Sequence, residues 1–177
     1  LHIKNFQREY DVYREVIPVV DPILRAYYGS FYQVRDVACY RTQPIPNVSG
    51  SYEWHRDNYP PGCLKVMVYL TNVLGPQDGP LTVAAGTADG FVPELGRVGD
   101  RYDPQTVEGR RVVDCLGPRG TVLIFDNNSI HRATDPARGT RDVINFTVFP
   151  SVLRPEPAAV KGVSLETEAG WLKKYTR

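Results

Sequence analysis

Apolar side chains recur near a 3.6-residue period between residues 10 and 28, at Val12, Val16, Val19, Val20, Ile23, Leu24 and Tyr27. That spacing predicts an amphipathic helix. Pro18 and Pro22 interrupt the pattern, so the helix is expected to carry a break and to end at Gly29-Ser30. After Ser30 the helical period vanishes and short β-branched and aromatic runs take over, at 31–40, 51–54, 64–70, 81–84, 111–115, 121–125 and 142–149. Turn clusters separate them, among them Pro60-Pro61-Gly62, the run from Gly75 to Pro80, and Gly117-Pro118-Arg119-Gly120. Many short strands with regular turn punctuation predict a mainly β sandwich or barrel of the jelly-roll kind, with the N-terminal helix packed outside it. Residues 165–175 read as a short last helix.

Composition narrows the class without naming the chemistry. At 177 residues the chain reads as a single domain, 1–177, with its β core at about 31–151. Twenty-one basic and twenty acidic side chains leave a net charge of +1. With no block of like charge, neither nucleic acid nor a membrane surface is expected as a partner. The longest apolar runs fall far short of the roughly 18 residues of a spanning helix. Cys39, Cys63 and Cys115 are an odd set without a CxxC pair, which reads as reduced thiols in a cytoplasmic protein. The chain opens on Leu1 with no basic-then-apolar leader, and reads as a sequence trimmed at its ends.

The chemistry rests on few residues. Of three histidines, His2 sits at the terminus, whereas His55 and His131 each follow a predicted strand. In an extended chain residues two apart share a face, so His55 and Asp57 can converge on one atom. Adding His131 gives two imidazoles and one carboxylate, the facial set that leaves non-haem Fe(II) three open positions. Each part alone is commonplace: His-x-Asp pairs are mostly surface features, and a loop histidine is mostly satisfied locally. A third element strengthens the set. Arg141 falls ten residues after His131 and opens the last strand. If the two belong to a hairpin, both line one pocket, where a guanidinium can clamp a carboxylate through paired hydrogen bonds.

The ordered series His55-Arg56-Asp57, then 64–73 (LKVMVYLTNV), then 78–87 (DGPLTVAAGT), resembles the phytanoyl-CoA dioxygenase-like (PhyH-like) family. The stretch 117–149, with Gly120-Thr121-Val122, His131 and Arg141, is similar to the second half of that pattern, and the likeness covers about 31–151. The resemblance implies a double-stranded β-helix, cupin-like, that uses Fe(II), O2 and 2-oxoglutarate. His55, Asp57 and His131 would be the metal and catalytic residues, and Arg141 would hold the distal carboxylate of 2-oxoglutarate. The implied reaction is hydroxylation of a small organic substrate with release of succinate and CO2. Related halogenases lack the carboxylate ligand, so Asp57 favours hydroxylation; desaturation, cyclisation and epimerisation use the same triad.

Other assignments stay open. Lys65, Met67 and Tyr69 alternate with Val66 and Val68, and either set can face the pocket; the first three are candidate 2-oxoglutarate neighbours. Thr147 and Asn145 share Arg141's parity and are candidates for the same role. Trp54 reads as structural, Met67 equally as packing, and Arg132 and Asn127 as contacts to a polar substrate. The loop 87–108 is the expected lid. The partner is a small-molecule substrate, free or tethered to a carrier or coenzyme A, although no basic cluster receives a coenzyme's phosphates. Two further readings compete: a cupin-like metal enzyme without 2-oxoglutarate, and a non-catalytic β-sandwich binding module in which the triad does not meet.

Overall fold

The computed structural model describes residues 6–44, 49–88, 101–137 and 139–152. Along these residues run α1 (Phe6–Tyr28), β1 (Phe31–Thr42), β2 (Leu64–Tyr69), β3 (Leu81–Ala84), β4 (Val112–Cys115), β5 (Val122–Asp126), β6 (His131–Ala133) and β7 (Arg141–Ser151). The strands form two sheets, ordered β1-β7-β2-β5 and β4-β3-β6. Every pairing is antiparallel. The protein is mainly β, with one N-terminal helix outside the larger sheet.

Strand alternation sorts the side chains into two layers. Leu64, Val66 and Val68 of β2 join Ile144, Phe146 and Val148 of β7 and Tyr32 and Val34 of β1 in one cluster with Ile17, Val20 and Leu24 of α1. The helix thus covers the outer face of the larger sheet. It is tied there by Tyr28 Oη donating to the Val148 carbonyl at 3.0 Å and by Tyr13 edge-on to Phe146. The opposite parity, Met67, Tyr69 and Val143, packs with Leu81 of β3, flanked by Val83, Cys115, Leu123 and Phe125. That second cluster lies between the two sheets.

Three expectations need correction. The helix runs unbroken through Pro18 and Pro22. Both prolines are exposed, so the carbonyls of Arg14 and Pro18 that lose their amide donors face water rather than the core. Its buried stripe passes through Ile17, Val20 and Leu24, while Val19, Ile23 and Tyr27 are 72%, 56% and 54% exposed. Residues 51–54 are not a strand: a 3-10 turn spans Gly50–Tyr52, closed by Gly50 N–H donating to Glu53 Oε2 at 3.0 Å. His131 begins β6 in the smaller sheet and Arg141 begins β7 in the larger, so they are not hairpin partners. The predicted helix at 165–175, His2, and most of the expected lid (89–100) lie outside the described residues.

Candidate metal centre

The turn at residues 50–52 delivers His55 to the free edge of β6. There His55 N–H donates to the His131 carbonyl and His131 N–H to the His55 carbonyl, each at 3.0 Å. This reciprocal pair is the closely spaced unit of an antiparallel ladder. It sets the imidazoles side by side with centroids 4.4 Å apart. On its other edge His55 bridges to Arg101, and Tyr102 N–H donates to the Trp54 carbonyl at 2.8 Å. The far end of the expected lid is therefore anchored beside the histidines.

Backbone carbonyls fix both rings. His55 Nδ1 lies 2.8 Å from the Glu53 carbonyl and His131 Nδ1 lies 2.8 Å from the Ser129 carbonyl. A carbonyl can only accept, so each Nδ1 carries a proton and Nε2 is the nitrogen left to take a metal. Burial, reinforced by the charge of neighbouring His55, pushes the His131 pKa down to about 4. Its ring is thus a neutral donor at ordinary pH. Asp57 Oδ1 approaches His55 Nε2 at 3.5 Å, and the ligand atoms of His55, Asp57 and His131 all lie within 4.8 Å of one another. Burial works against the Asp57 charge, but the adjoining His55 ring and the Lys65 ammonium outweigh it and hold the carboxyl well below its usual range. Two imidazole nitrogens and one ionised carboxylate brought this close fit a borderline divalent cation such as Fe(II).

The larger sheet supplies the opposite wall. Lys65, Met67 and Tyr69 face between the sheets, which decides their parity, while Val66 and Val68 face α1. Lys65 contacts Asp57 Oδ2 and pairs across the strands with Thr147. Tyr69 is a strut rather than a free pocket group: its hydroxyl donates to the Cys115 carbonyl at 2.7 Å and accepts from Leu81 N–H at 3.2 Å. Met67 is buried in the apolar layer. Asn145, level with Met67, is buried with an Oδ1 that meets no partner among the described residues.

Arg141 sits at the other end of β7, six residues and about 20 Å of extended chain from Thr147. It is 5% exposed; Nη1 donates to the Gly79 carbonyl at 2.7 Å and Nη2 to Thr42 Oγ1 at 3.1 Å. Its Nε has no acceptor, and among the described residues no carboxylate pairs with the guanidinium. Burial destabilises its charge and draws its pKa down. A buried cation without an anion is costly in isolation and calls for an acidic ligand.

Two candidate substrate contacts lie elsewhere. Arg132 faces away from the triad, its guanidinium 4.5 Å over the Trp54 ring. Asn127 is sealed from solvent, its backbone N–H donating to the Cys63 carbonyl at 2.9 Å. Supporting residues emerge that the sequence pattern did not single out. Phe125 meets His131 edge-on at 5.5 Å. Thr87, fully buried, accepts from Ile130 N–H and donates to the Ala84 carbonyl, both at 2.7 Å, steadying the approach to His131. In the sequence Thr87 marks only the end of the 78–87 motif and the start of the expected lid, with no sign of a supporting role beside His131.

Neither protein-family models nor curated proteins match this sequence. Solved structures do match. HygX from Streptomyces hygroscopicus, with nickel and 2-oxoglutarate bound, superposes with a TM-score of 0.58 at 17% identity, over 80% of this chain and 65% of that one. SnoN, a non-haem α-ketoglutarate-dependent epimerase from nogalamycin biosynthesis, gives 0.66 at 16% identity over 84% and 62%. EctD from S. alaskensis with bound iron gives 0.57 at 18% over 72% and 48%. The chain shares the fold of these structures. The chain spans less than two thirds of the length of each of these three.

Proposed function

We propose that this protein is a non-haem Fe(II)- and 2-oxoglutarate-dependent dioxygenase of the double-stranded β-helix type, hydroxylating a small organic molecule. The observation that carries the reading is the presence of a His55/Asp57/His131 donor set together with the buried Arg141 guanidinium, which has no carboxylate partner among the described residues. A cupin-like enzyme without 2-oxoglutarate would leave that cation unexplained. A β-sandwich whose histidines never meet does not describe a cluster with all ligand atoms within 4.8 Å.

In this reading His55 Nε2, His131 Nε2 and Asp57 Oδ1 hold the iron. When bound, Fe(II) and 2-oxoglutarate supply the oxidation of substrate by O2, with succinate and CO2 as co-products. Glu53 and Ser129 carbonyls keep the rings aimed without further reorganisation. Arg141, anchored on Gly79 and Thr42, orients the distal carboxylate through charge-assisted hydrogen bonds. Met67, Leu123, Phe125 and Val83 keep water from the space between the sheets. The substrate is free or tethered to a carrier or coenzyme A.

Anaerobic calorimetric titration with 2-oxoglutarate tests the Arg141 assignment. Arg141→Ala should weaken binding to the iron-loaded protein by about 30-fold or more, the lower end of losing a buried charge partner. Equal affinity in the variant would remove Arg141 from the co-substrate site.

A further inference from the structure

Lys65 has a place in the site that its proposed role beside 2-oxoglutarate does not use. It rises from the inner face of β2, flanked by Thr147 of β7 and Phe125 of β5 in the middle of the larger sheet. Its ammonium meets Asp57 Oδ2, while Asp57 Oδ1 faces His55 Nε2. Both side chains are mostly buried, at 17% and 20% exposure.

The two oxygens of one carboxylate therefore have separate partners. The backbone of Asp57 does little to enforce this division. Asp57 lies outside any strand, and the following Asn58 adopts φ +54°, in the left-handed region. Nothing in regular hydrogen bonding fixes the rotation of its carboxylate. Lys65 stands on a strand paired on both sides, so ladder hydrogen bonds hold its backbone in place, whereas Asp57 lies outside any ladder.

We infer that Lys65 is a positioning residue which holds Asp57 Oδ2 so that the carboxylate presents Oδ1 alone to the metal. This rests on the metal-centre reading above and deepens it. A carboxylate held to one oxygen occupies one coordination position and leaves three open beside the two imidazoles. Released, it can turn and offer both oxygens, closing a position that co-substrate and O2 require. Groups that orient a metal ligand in this way typically contribute 10–100-fold to metal affinity.

Co(II) titration of metal-free protein tests the inference without turnover, because the visible ligand-field bands of Co(II) report coordination number. The wild type, Lys65→Met and Lys65→Arg are compared, with circular dichroism as the check on folding. Lys65→Met should bind Co(II) about 10-fold more weakly and with altered band shape and intensity. Lys65→Arg, which restores a cationic donor, should recover the wild-type spectrum. Should Lys65→Met fail to fold, Lys65→Leu, which likewise carries no donor, is read in its place, with the same shift expected. Wild-type affinity and spectrum in the neutral variant would overturn the inference, including where only 2-oxoglutarate affinity falls. A wild type that takes up no Co(II) would overturn the metal centre itself, so the two failures are separable.

Discussion

At the scale of single residues, the site divides into groups that a spacing rule can find and groups that it cannot. His55 and Asp57, two apart, form such a local pattern, whereas the ten-residue spacing of His131 and Arg141 suggests a hairpin that the two sheets do not form. Lys65 beside Asp57 is different. The parity of β2 was undecided from its sequence, because Val66/Val68 and Met67/Tyr69 are equally apolar, and only the arrival of α1 on one face settles it. Thr42 and Gly79, which seat Arg141, lie 99 and 62 residues from it in the chain, beyond the reach of any local signal. Asp57→Ala tests the ligand set: Fe(II) affinity should fall by more than the roughly 10–100-fold typical of losing a group that merely supports a ligand. Equilibrium dialysis measures this, and retained affinity would reassign the carboxylate ligand.

At the scale of elements, the strands and the helix among the described residues are legible where a segment is long enough for alternation or period to repeat. β6 has three residues and no period to read. Residues 51–54 carry strand-like aromatics, but Gly50 at φ +64° and the Glu53 side chain turn the chain first. The prolines of α1 misled in the opposite sense, since a helix tolerates them where the freed carbonyls face solvent. The buried stripe of α1 makes a contrast: Leu24→Ala, in a fully buried site, should cost about 2–5 kcal/mol in urea denaturation. Ile23→Ser, one position on and largely exposed, should stay within about 0.5 kcal/mol. Equal losses would mean that Ile23 is covered in solution.

For the whole molecule, the order of strands within each sheet depends on pairings between distant segments, β1 with β7 above all, and the sequence carries no direct record of them. What was readable is that the chain is β-rich behind one helix; which sheet holds which part of the site was not. The arrangement places His55 and His131 at the edge of the smaller sheet and Arg141 on the larger, so in the proposed function a ligand reaching both would tie the two sheets together. Metal-loaded protein should accordingly gain about 2.7 kcal/mol of stability from 2-oxoglutarate at one hundred times its Kd. In Arg141→Met, with affinity weakened about 30-fold or more, that gain should fall to about 0.9 kcal/mol or below at the same concentration. The ligand-free variant should lose no more than about 1 kcal/mol, because a poorly compensated buried charge leaves with its hydrogen bonds. Anaerobic thermal denaturation reads both quantities, and a ligand-induced gain as large in the variant as in the wild type would contradict the bridging role.

The most direct test of the central claim is anaerobic titration of the Fe(II)-loaded protein with 2-oxoglutarate, followed by visible absorption. The account predicts a weak charge-transfer band that grows to saturation near one equivalent and is absent from His131→Ala. Iron bound without such a band, or no iron bound, would contradict it.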